Sequence, residues 1–112
     1  MVIGSRLLIA ALSLAILGGM GSSIAAAAET EATKVVIKDF MFMPMSLTVK
    51  AGSTVTWVNM DDEPHTVVSN TQMFRSGALD TKETFSFKFT EPGTYHFTCS
   101  IHPRMVGAIV VQ

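Results

Sequence analysis

The sequence predicts a single all-β domain built as a sandwich or barrel. Beyond residue 28, several short runs rich in β-branched and aromatic residues alternate between apolar and polar positions, as strands do. Turn-forming residues separate these runs, and none of them has a helical period. With 112 residues in total, the chain has room for one hydrophobic core.

The first half of the domain alternates short extended segments with turns. Pro44 interrupts the chain after the first segment, Ala51-Gly52-Ser53 supplies a turn, and residues 59–64 form a polar loop. The predicted extended segments in this half are residues 34–40, 47–50, 54–58 and 65–68.

The second half carries the clearest strand signal. Phe85, Phe87 and Phe89 share one face, and the turn at residues 91–93 leads into an alternating segment that ends at Cys99. We therefore expect two antiparallel strands that share an apolar face. Parity directs Tyr95, Phe97 and Cys99 inward, and His96 and Thr98 outward. Residues 70–84 are expected to be an irregular connection, with one short strand or helical turn as the alternative, and residues 107–111 a final strand.

Residues 1–28 are typical of a secretory signal peptide. A single basic residue, Arg6, precedes an apolar stretch at residues 7–17, and small residues ending in Ala28 follow. This stretch of eleven residues, broken only by Ser13, is too short to span a bilayer, which requires about 20 residues. We expect cleavage after Ala28, a mature domain of residues 29–112 and export to the bacterial periplasm. A retained N-terminal anchor is the alternative.

Charge argues against two classes of partner. Beyond Ala28 the chain has seven Lys and Arg against nine Asp and Glu, a net charge of about −2. Nucleic-acid binding typically requires a basic surface, so neither nucleic acid nor an anionic membrane is an expected partner. Asp61-Asp62-Glu63 is interpreted as a solvated turn, with a docking surface as the alternative.

A lone cysteine and its neighbours predict a metal site. Cys99 is the only cysteine of an exported chain, so it cannot form an internal disulfide. His102 and Met105 follow it at intervals of three, which lets one short loop direct a thiolate, an imidazole and a thioether to one point. His65, at the start of another extended segment, can supply a second imidazole. Two imidazoles, a thiolate and a distant thioether suit copper that changes between two oxidation states.

These residues resemble the cupredoxins of the plastocyanin and amicyanin type. The matching features are Pro64-His65, the approach Glu91-Pro92-Gly93-Thr94-Tyr95 and the C-x2-H-x2-M loop. The short spacing from His102 to Met105 is more similar to amicyanin than to plastocyanin. The resemblance implies a Greek-key β-sandwich with one mononuclear type 1 copper ion per chain. It also implies that His65, Cys99, His102 and Met105 are the ligands.

The resemblance further implies a function. Such proteins are one-electron carriers, not enzymes, and they meet a donor and an acceptor protein in small, transient contacts. We expect a monomer without stable membrane insertion, exchanging electrons through His102 and an apolar patch that includes Pro64, Pro103 and Met73. Thr66 stands where these relatives often have asparagine, and Ile101 where they often have proline. These departures leave the reduction potential open, since hydrogen bonds near the sulfur tune it.

Three alternating methionines give a second metal hypothesis. Met41, Met43 and Met45 could direct thioethers to one side of an extended segment and bind Cu(I); alternatively they fill the core or lie on the surface. A copper delivery or storage protein using this stretch is therefore the alternative function. No pairing of nucleophile and base suggests an enzyme, and His96 is interpreted as a surface residue.

Overall fold

The computed structural model describes residues 31–112, and the predicted leader lies outside the described residues. A single 3-10 turn at Glu31–Thr33 precedes the first strand. Eight strands follow: β1 Lys34–Lys38, β2 Met41–Met43, β3 Ser46–Val49, β4 Ser53–Asn59, β5 Val68–Ser69, β6 Thr84–Phe89, β7 Gly93–Thr98 and β8 Val106–Val111.

The strands form two sheets, which confirms the predicted all-β sandwich. Sheet A has the order β2-β1-β4-β6, and sheet B has the order β3-β8-β7-β5. Strands β1 and β4 pair in parallel, as do β3 and β8, whereas the other neighbours are antiparallel. No helix within residues 31–112 has the length and apolar character needed to cross a bilayer.

Aromatic rings fill the space between the sheets. Trp57 of β4 is fully buried, and its ring centroid lies 5.4 Å from that of Phe97 in sheet B and 5.7 Å from that of Phe85 in sheet A. Phe74, from the connection between β5 and β6, packs 5.6 Å from Trp57. A loop residue thus completes a core that the strands alone leave open.

The first strand is shorter than the alternation predicts. β1 ends at Lys38, and the chain turns at Asp39 and Phe40, whose φ angles are 52° and 58°. Left-handed conformations are unfavourable for a phenylalanine, so this turn needs support from outside itself. That support is the Asp61 carboxylate, which accepts the backbone N–H groups of both turn residues.

The pairing expected for the two phenylalanine-rich strands is wrong. β6 belongs to sheet A and β7 to sheet B, so the turn between them carries the chain across the sandwich. Their apolar faces meet across the core instead of lying side by side, with the rings of Phe89 and Tyr95 5.1 Å apart. Strand parity is as predicted: Phe97 and Cys99 are buried, and His96 is exposed.

Candidate metal centre

Three donor side chains meet at one end of the sandwich. His65, Cys99 and His102 present ligand atoms that all lie within 4.8 Å of one another. The Cys99 Sγ lies 3.9 Å from the His65 Nδ1 and 3.6 Å from the His102 Nδ1. His65 and Cys99 are fully buried, whereas His102 is half-buried. Two imidazole nitrogens and one sulfur facing a common point fit a soft or borderline metal ion such as copper.

The chain between β7 and β8 brings Cys99, His102 and Met105 together. Cys99 directly follows β7, and Met105 directly precedes β8. The Cys99 N–H donates to the Met105 carbonyl at 3.1 Å, which closes the loop, and the Met105 N–H donates to the His102 carbonyl at 2.9 Å. Met105 is 4% exposed, so its side chain points into the protein and not into solvent. The loop is therefore short, closed and held by a β-hairpin.

His65 reaches the site from the connection between β4 and β5. Its backbone exchanges two hydrogen bonds with Leu79, of 3.1 Å and 2.7 Å. The Asn59 amide, at the end of β4, donates to the carbonyls of Glu63 and Leu79 at 2.8 Å each. The loop that carries His65 is thus attached to the end of sheet A by backbone and side-chain hydrogen bonds.

Asp61 orients the His65 ring. Its Oδ2 lies 2.8 Å from the His65 Nε2, which leaves Nδ1 directed toward the Cys99 sulfur. Burial acts to raise the pKa of Asp61, but the N–H groups of Phe40 and Asp39 and the His65 ring offset this and hold the pKa below its ordinary value. A carboxylate behind an imidazole fixes the tautomer and the orientation of a histidine that binds metal. The interpretation of Asp61 as a solvated turn residue is wrong, since it is 6% exposed.

Thr66 connects the two ligand-bearing segments. Its backbone N–H points at the Cys99 Sγ at 3.4 Å, and its hydroxyl accepts the Ser100 N–H at 2.7 Å. The hydroxyl oxygens of Thr66 and Ser100 are 2.8 Å apart. An N–H directed at sulfur stabilises negative charge on a thiolate. Thr66 therefore bridges the two ligand-bearing loops although it is not asparagine.

An aromatic ring covers both imidazoles. Phe40, from the β1–β2 turn, meets His65 edge to face with centroids 5.3 Å apart and His102 likewise at 5.0 Å. The ring is 48% exposed. It lines a shallow cavity of about 400 Å³ beside His102 whose other walls are Ile101, Pro103, Arg104 and Met105.

The apolar surface beside His102 differs from the expected one. Pro103 lies there as expected, but Pro64 is not among the residues that line the cavity. Met73 lines a different cavity, with Phe87 and Tyr95, so its predicted place beside His102 is wrong. The reason is that Met73 lies at the turn beyond β5. The Ser69 N–H donates to the Phe74 carbonyl at 2.9 Å and Val68 pairs with Arg75, so the chain returns along β5 only after Met73.

Two further residue groups lie on the surface. His96 is exposed and points away from the donor group, as its parity predicts. Met41, Met43 and Met45 are 49%, 46% and 56% exposed, so they do not fill the core.

Sequence reasoning missed Asp61 and Phe40. Asp61 precedes His65 by four residues and its N–H donates to the Asn59 Oδ1 at 2.9 Å, a local turn that the Asn59-to-Asp61 spacing signals. Phe40 has no local signal, because its place over the histidines depends on contacts between segments more than 20 residues apart.

Comparison with known proteins agrees with this geometry. The sequence model of the cupredoxin-like domain matches residues 8–111. Amicyanin-alpha of Methylorubrum extorquens is 38% identical over 90 residues, which cover 71% of each chain. Plastocyanin of Scenedesmus fuscus is 40% identical over 85 residues, covering 64% of this chain and 87% of that protein. A solved structure of an oxidised amicyanin variant matches with a TM-score of 0.69 and 33% identity, covering 77% of this chain and 89% of that one.

The family match covers most of the chain, and the relatives span both of the expected types, amicyanin and plastocyanin. Together with the donor group of His65, Cys99 and His102, these findings confirm the predicted cofactor, one type 1 copper ion. The chain belongs to the cupredoxin family.

Proposed function

We propose that this chain is an exported type 1 copper protein that carries single electrons and has no catalytic activity of its own. His65, Cys99 and His102 are the proposed strong ligands, and Met105 the weak axial ligand. The observation that carries the proposal is the buried group of two imidazole nitrogens and one sulfur, of which only His102 approaches the surface. Bound copper supplies a reversible change of one electron.

The protein's contribution is to hold the donors still. Asp61 holds the His65 ring, the backbone N–H of Thr66 faces the Cys99 sulfur, and hydrogen bonds close the loop that bears His102. Donors fixed in this way rearrange little when the charge of the site changes, and a small rearrangement favours fast electron transfer. Phe40 and the buried surroundings exclude water from the two imidazole faces that it covers.

His102 marks the side on which partners dock. It is the one histidine of the donor group that is not fully buried, and apolar side chains of Phe40, Ile101 and Pro103 surround it. We propose a redox protein as donor and another as acceptor, each meeting this surface in a small transient contact. We further propose that the domain works as a monomer, binds no nucleic acid and does not insert into the membrane.

Residues 1–28 are proposed as the signal peptide, residues 29–112 as the mature domain and the bacterial periplasm as its location. The leader pattern of Arg6, an apolar stretch and a run of alanines supports this assignment. Mass spectrometry of periplasmic extract after expression of the full chain is expected to give a mass that begins at Glu29. A retained leader would contradict this assignment and favour the N-terminal anchor.

The test of the copper site uses the chain expressed from Glu29. With Cu(II) added, we expect an intense visible absorption band and a reversible one-electron wave by voltammetry. Cys99→Ser is expected to abolish the band, because it removes the sulfur donor. His96→Ala is the matched control, since it removes an exposed histidine of the adjoining strand, and it is expected to keep both signals.

Met105→Leu tests the proposed axial ligand separately from the other three ligands. A weak axial bond makes little contribution to binding, so we expect the band to persist and the midpoint potential to move. A colourless wild-type protein, or one with an irreversible wave, would contradict the electron-carrier proposal.

Copper delivery or storage is the second proposed function, and one observation favours it. Met41, Met43 and Met45 are about half-exposed, so a soft ion in solution can reach their side chains. A delivery protein is expected to transfer Cu(I) completely to an acceptor protein within minutes, whereas a carrier keeps its copper through repeated reduction and oxidation.

A further inference from the structure

The three exposed methionines in and just after β2, Met41, Met43 and Met45, are not equivalent. Met41 and Met45 line a cavity of about 180 Å³, whereas Met43 does not. The same cavity is lined by Met105, which is buried and is the proposed axial ligand. Two exposed methionines and one buried methionine therefore line a single cavity that begins at the surface.

The cavity lies where the edges of the two sheets meet. Met41 belongs to β2, the edge strand of sheet A. Met45 is fixed to sheet B, because its backbone carbonyl accepts the Ala108 N–H of β8 at 2.8 Å. The cavity thus has one exposed methionine on each side, and it is also lined by Met105, which directly precedes β8 on the loop that carries Cys99 and His102.

The chemistry of these walls selects a soft cation. Thioether sulfur is neutral and polarisable, and among biological metals it prefers Cu(I). The other walls are Phe40, Phe42 and Val106, whose side chains offer no oxygen ligand for a hard ion, and Arg104. The guanidinium of Arg104 repels a cation, so binding here is expected to be weak enough to release the ion.

We propose that Met41 and Met45 form a loading site that captures Cu(I) and passes it to the donor group by way of Met105. The inference rests on the proposed copper site for its destination. The ion keeps its oxidation state throughout, since thioether ligands exchange without gain or loss of electrons. Met43, exposed to the same extent on the same strand face, takes no part.

The first experiment locates the ion. Protein labelled with carbon-13 at the methionine methyl groups is filled with Hg(II), which occupies His65, Cys99 and His102, and Cu(I) is then added without oxygen as its acetonitrile complex. The methyl signals of Met41 and Met45 are expected to move together along one binding curve that fits a single site. The internal controls are the exposed Met43, Met60 and Met73, whose signals are expected to stay in place.

Two outcomes of this experiment would overturn the proposal. One is that no methionine methyl signal moves. The other is that the signals of all exposed methionines move together, which would mean unspecific binding of Cu(I) to thioethers.

The second experiment measures loading of the apoprotein from a coloured Cu(I) chelator. The double variant Met41→Leu with Met45→Leu is expected to take up Cu(I) about tenfold more slowly. This factor corresponds to ~1.4 kcal/mol of lost stabilisation of the Cu(I) ion during its entry. Met43→Leu is the matched control and is expected to load at the wild-type rate. Arg104→Gln is expected to load faster, because it removes the repelling charge.

Equal loading rates in the double variant and the wild type would overturn the loading site. The visible band that forms after oxidation distinguishes a failure of the loading site from a failure of the copper site. If the band forms normally in every variant while the rates are equal, only the loading site is wrong. If the band fails to form in the wild type, the copper site itself is wrong.

Discussion

Thr66 acts on the site through two different groups. Its backbone N–H faces the Cys99 sulfur, and its hydroxyl binds Ser100 and lies 3.8 Å from the same sulfur. The backbone contact survives any substitution other than proline, whereas both contacts of the hydroxyl depend on the side chain. A change at Thr66 can therefore keep the N–H at the sulfur while it removes the hydroxyl from both the sulfur and the neighbouring loop.

Thr66→Val is expected to lower the free energy of unfolding of the apoprotein by about 1–2 kcal/mol, because it leaves the Ser100 N–H without its acceptor. Urea denaturation measures this loss. Thr48→Val, at an exposed position of β3, is the control and is expected to change stability little. Equal stabilities of the two variants would show that the hydroxyl bridge contributes nothing.

Asp61 has a larger expected effect, because its carboxylate accepts three hydrogen bonds. Asp61→Ala leaves the Asp39 N–H, the Phe40 N–H and the His65 ring without a partner. We expect a loss of about 3 kcal/mol or more in the free energy of unfolding at neutral pH, measured by chemical denaturation.

Asp62→Ala is the matched control for this change. It removes the same charge one residue later, at an exposed position, and is expected to alter stability by less than about 0.5 kcal/mol. A similar loss in both variants would mean that net charge, and not the hydrogen bonds of Asp61, determines the effect.

At the scale of elements, β8 depends on the absence of a side chain at one position. A Cβ added to Gly107 would lie 2.5 Å and 2.7 Å from atoms of the Phe97 ring and 3.1 Å from the Met45 carbonyl oxygen. Gly107 and Phe97 are paired across β7 and β8, so the phenylalanine ring lies over the glycine. The hairpin that carries the ligand loop is thus packed against an aromatic ring at this pair.

Gly107→Ala is expected to destabilise the domain by about 1–3 kcal/mol, the usual cost of adding a methyl group to a filled core. The comparison is Gly77→Ala, where nothing lies within 4 Å of the added Cβ. Thermal unfolding of both variants, followed by circular dichroism, measures the difference. An unchanged melting temperature in Gly107→Ala would contradict the close packing of this pair.

The local sequence pattern predicted the strands better than it predicted which strands pair with each other. The parity of residues 95–99 correctly placed Cys99 inside and His96 outside, because side-chain alternation is a property of one strand. The expected pairing of β6 with β7 was wrong, because an arrangement in which the two strands face each other across the core buries the same phenylalanines. The end of β1 was also missed, since Asp39 and Phe40 turn with support from Asp61, which is distant in sequence.

At the scale of the whole molecule, the core extends beyond the sheets. Phe74 lies in the connection between β5 and β6, yet it is 4% exposed and packs against Trp57, Phe87 and Phe89. The residues around it have no clear period, so the sequence suggested only an irregular connection. Burial at this position depends on the closing of the sandwich and not on a local element.

Phe74→Ala is expected to cost about 3–5 kcal/mol of unfolding free energy, as for a phenylalanine of the central core. Its neighbour Met73 is half-exposed, so Met73→Ala is expected to stay within about 0.5 kcal/mol of wild type. Equilibrium denaturation followed by Trp57 fluorescence measures both. Equal losses of unfolding free energy in the two variants would contradict the role of Phe74 in the core.

In the candidate site, too, features within one loop were predictable from the sequence, and contacts between distant segments were not. The spacing of Cys99, His102 and Met105 is visible in the sequence, because one loop carries all three. His65 was supported by resemblance alone, since 34 residues separate it from Cys99. The surrounding contacts of Asp61 and Phe40 could not be predicted, because they arise only when the β1–β2 turn folds onto the loop that follows β4.

The two ends of the sandwich are closed in different ways. Far from the donor group, the β3–β4 turn is bonded to both sheets through main-chain atoms, Ala51 to Gln112 at 2.8 Å and Gly52 to Phe89 at 2.6 Å. At the opposite end, side chains of Asn59, Asp61 and Thr66 connect the segments. Substitution can alter this second closure far more readily than the first. The molecule therefore has one end closed by main-chain atoms and another whose rigidity evolution can adjust one side chain at a time.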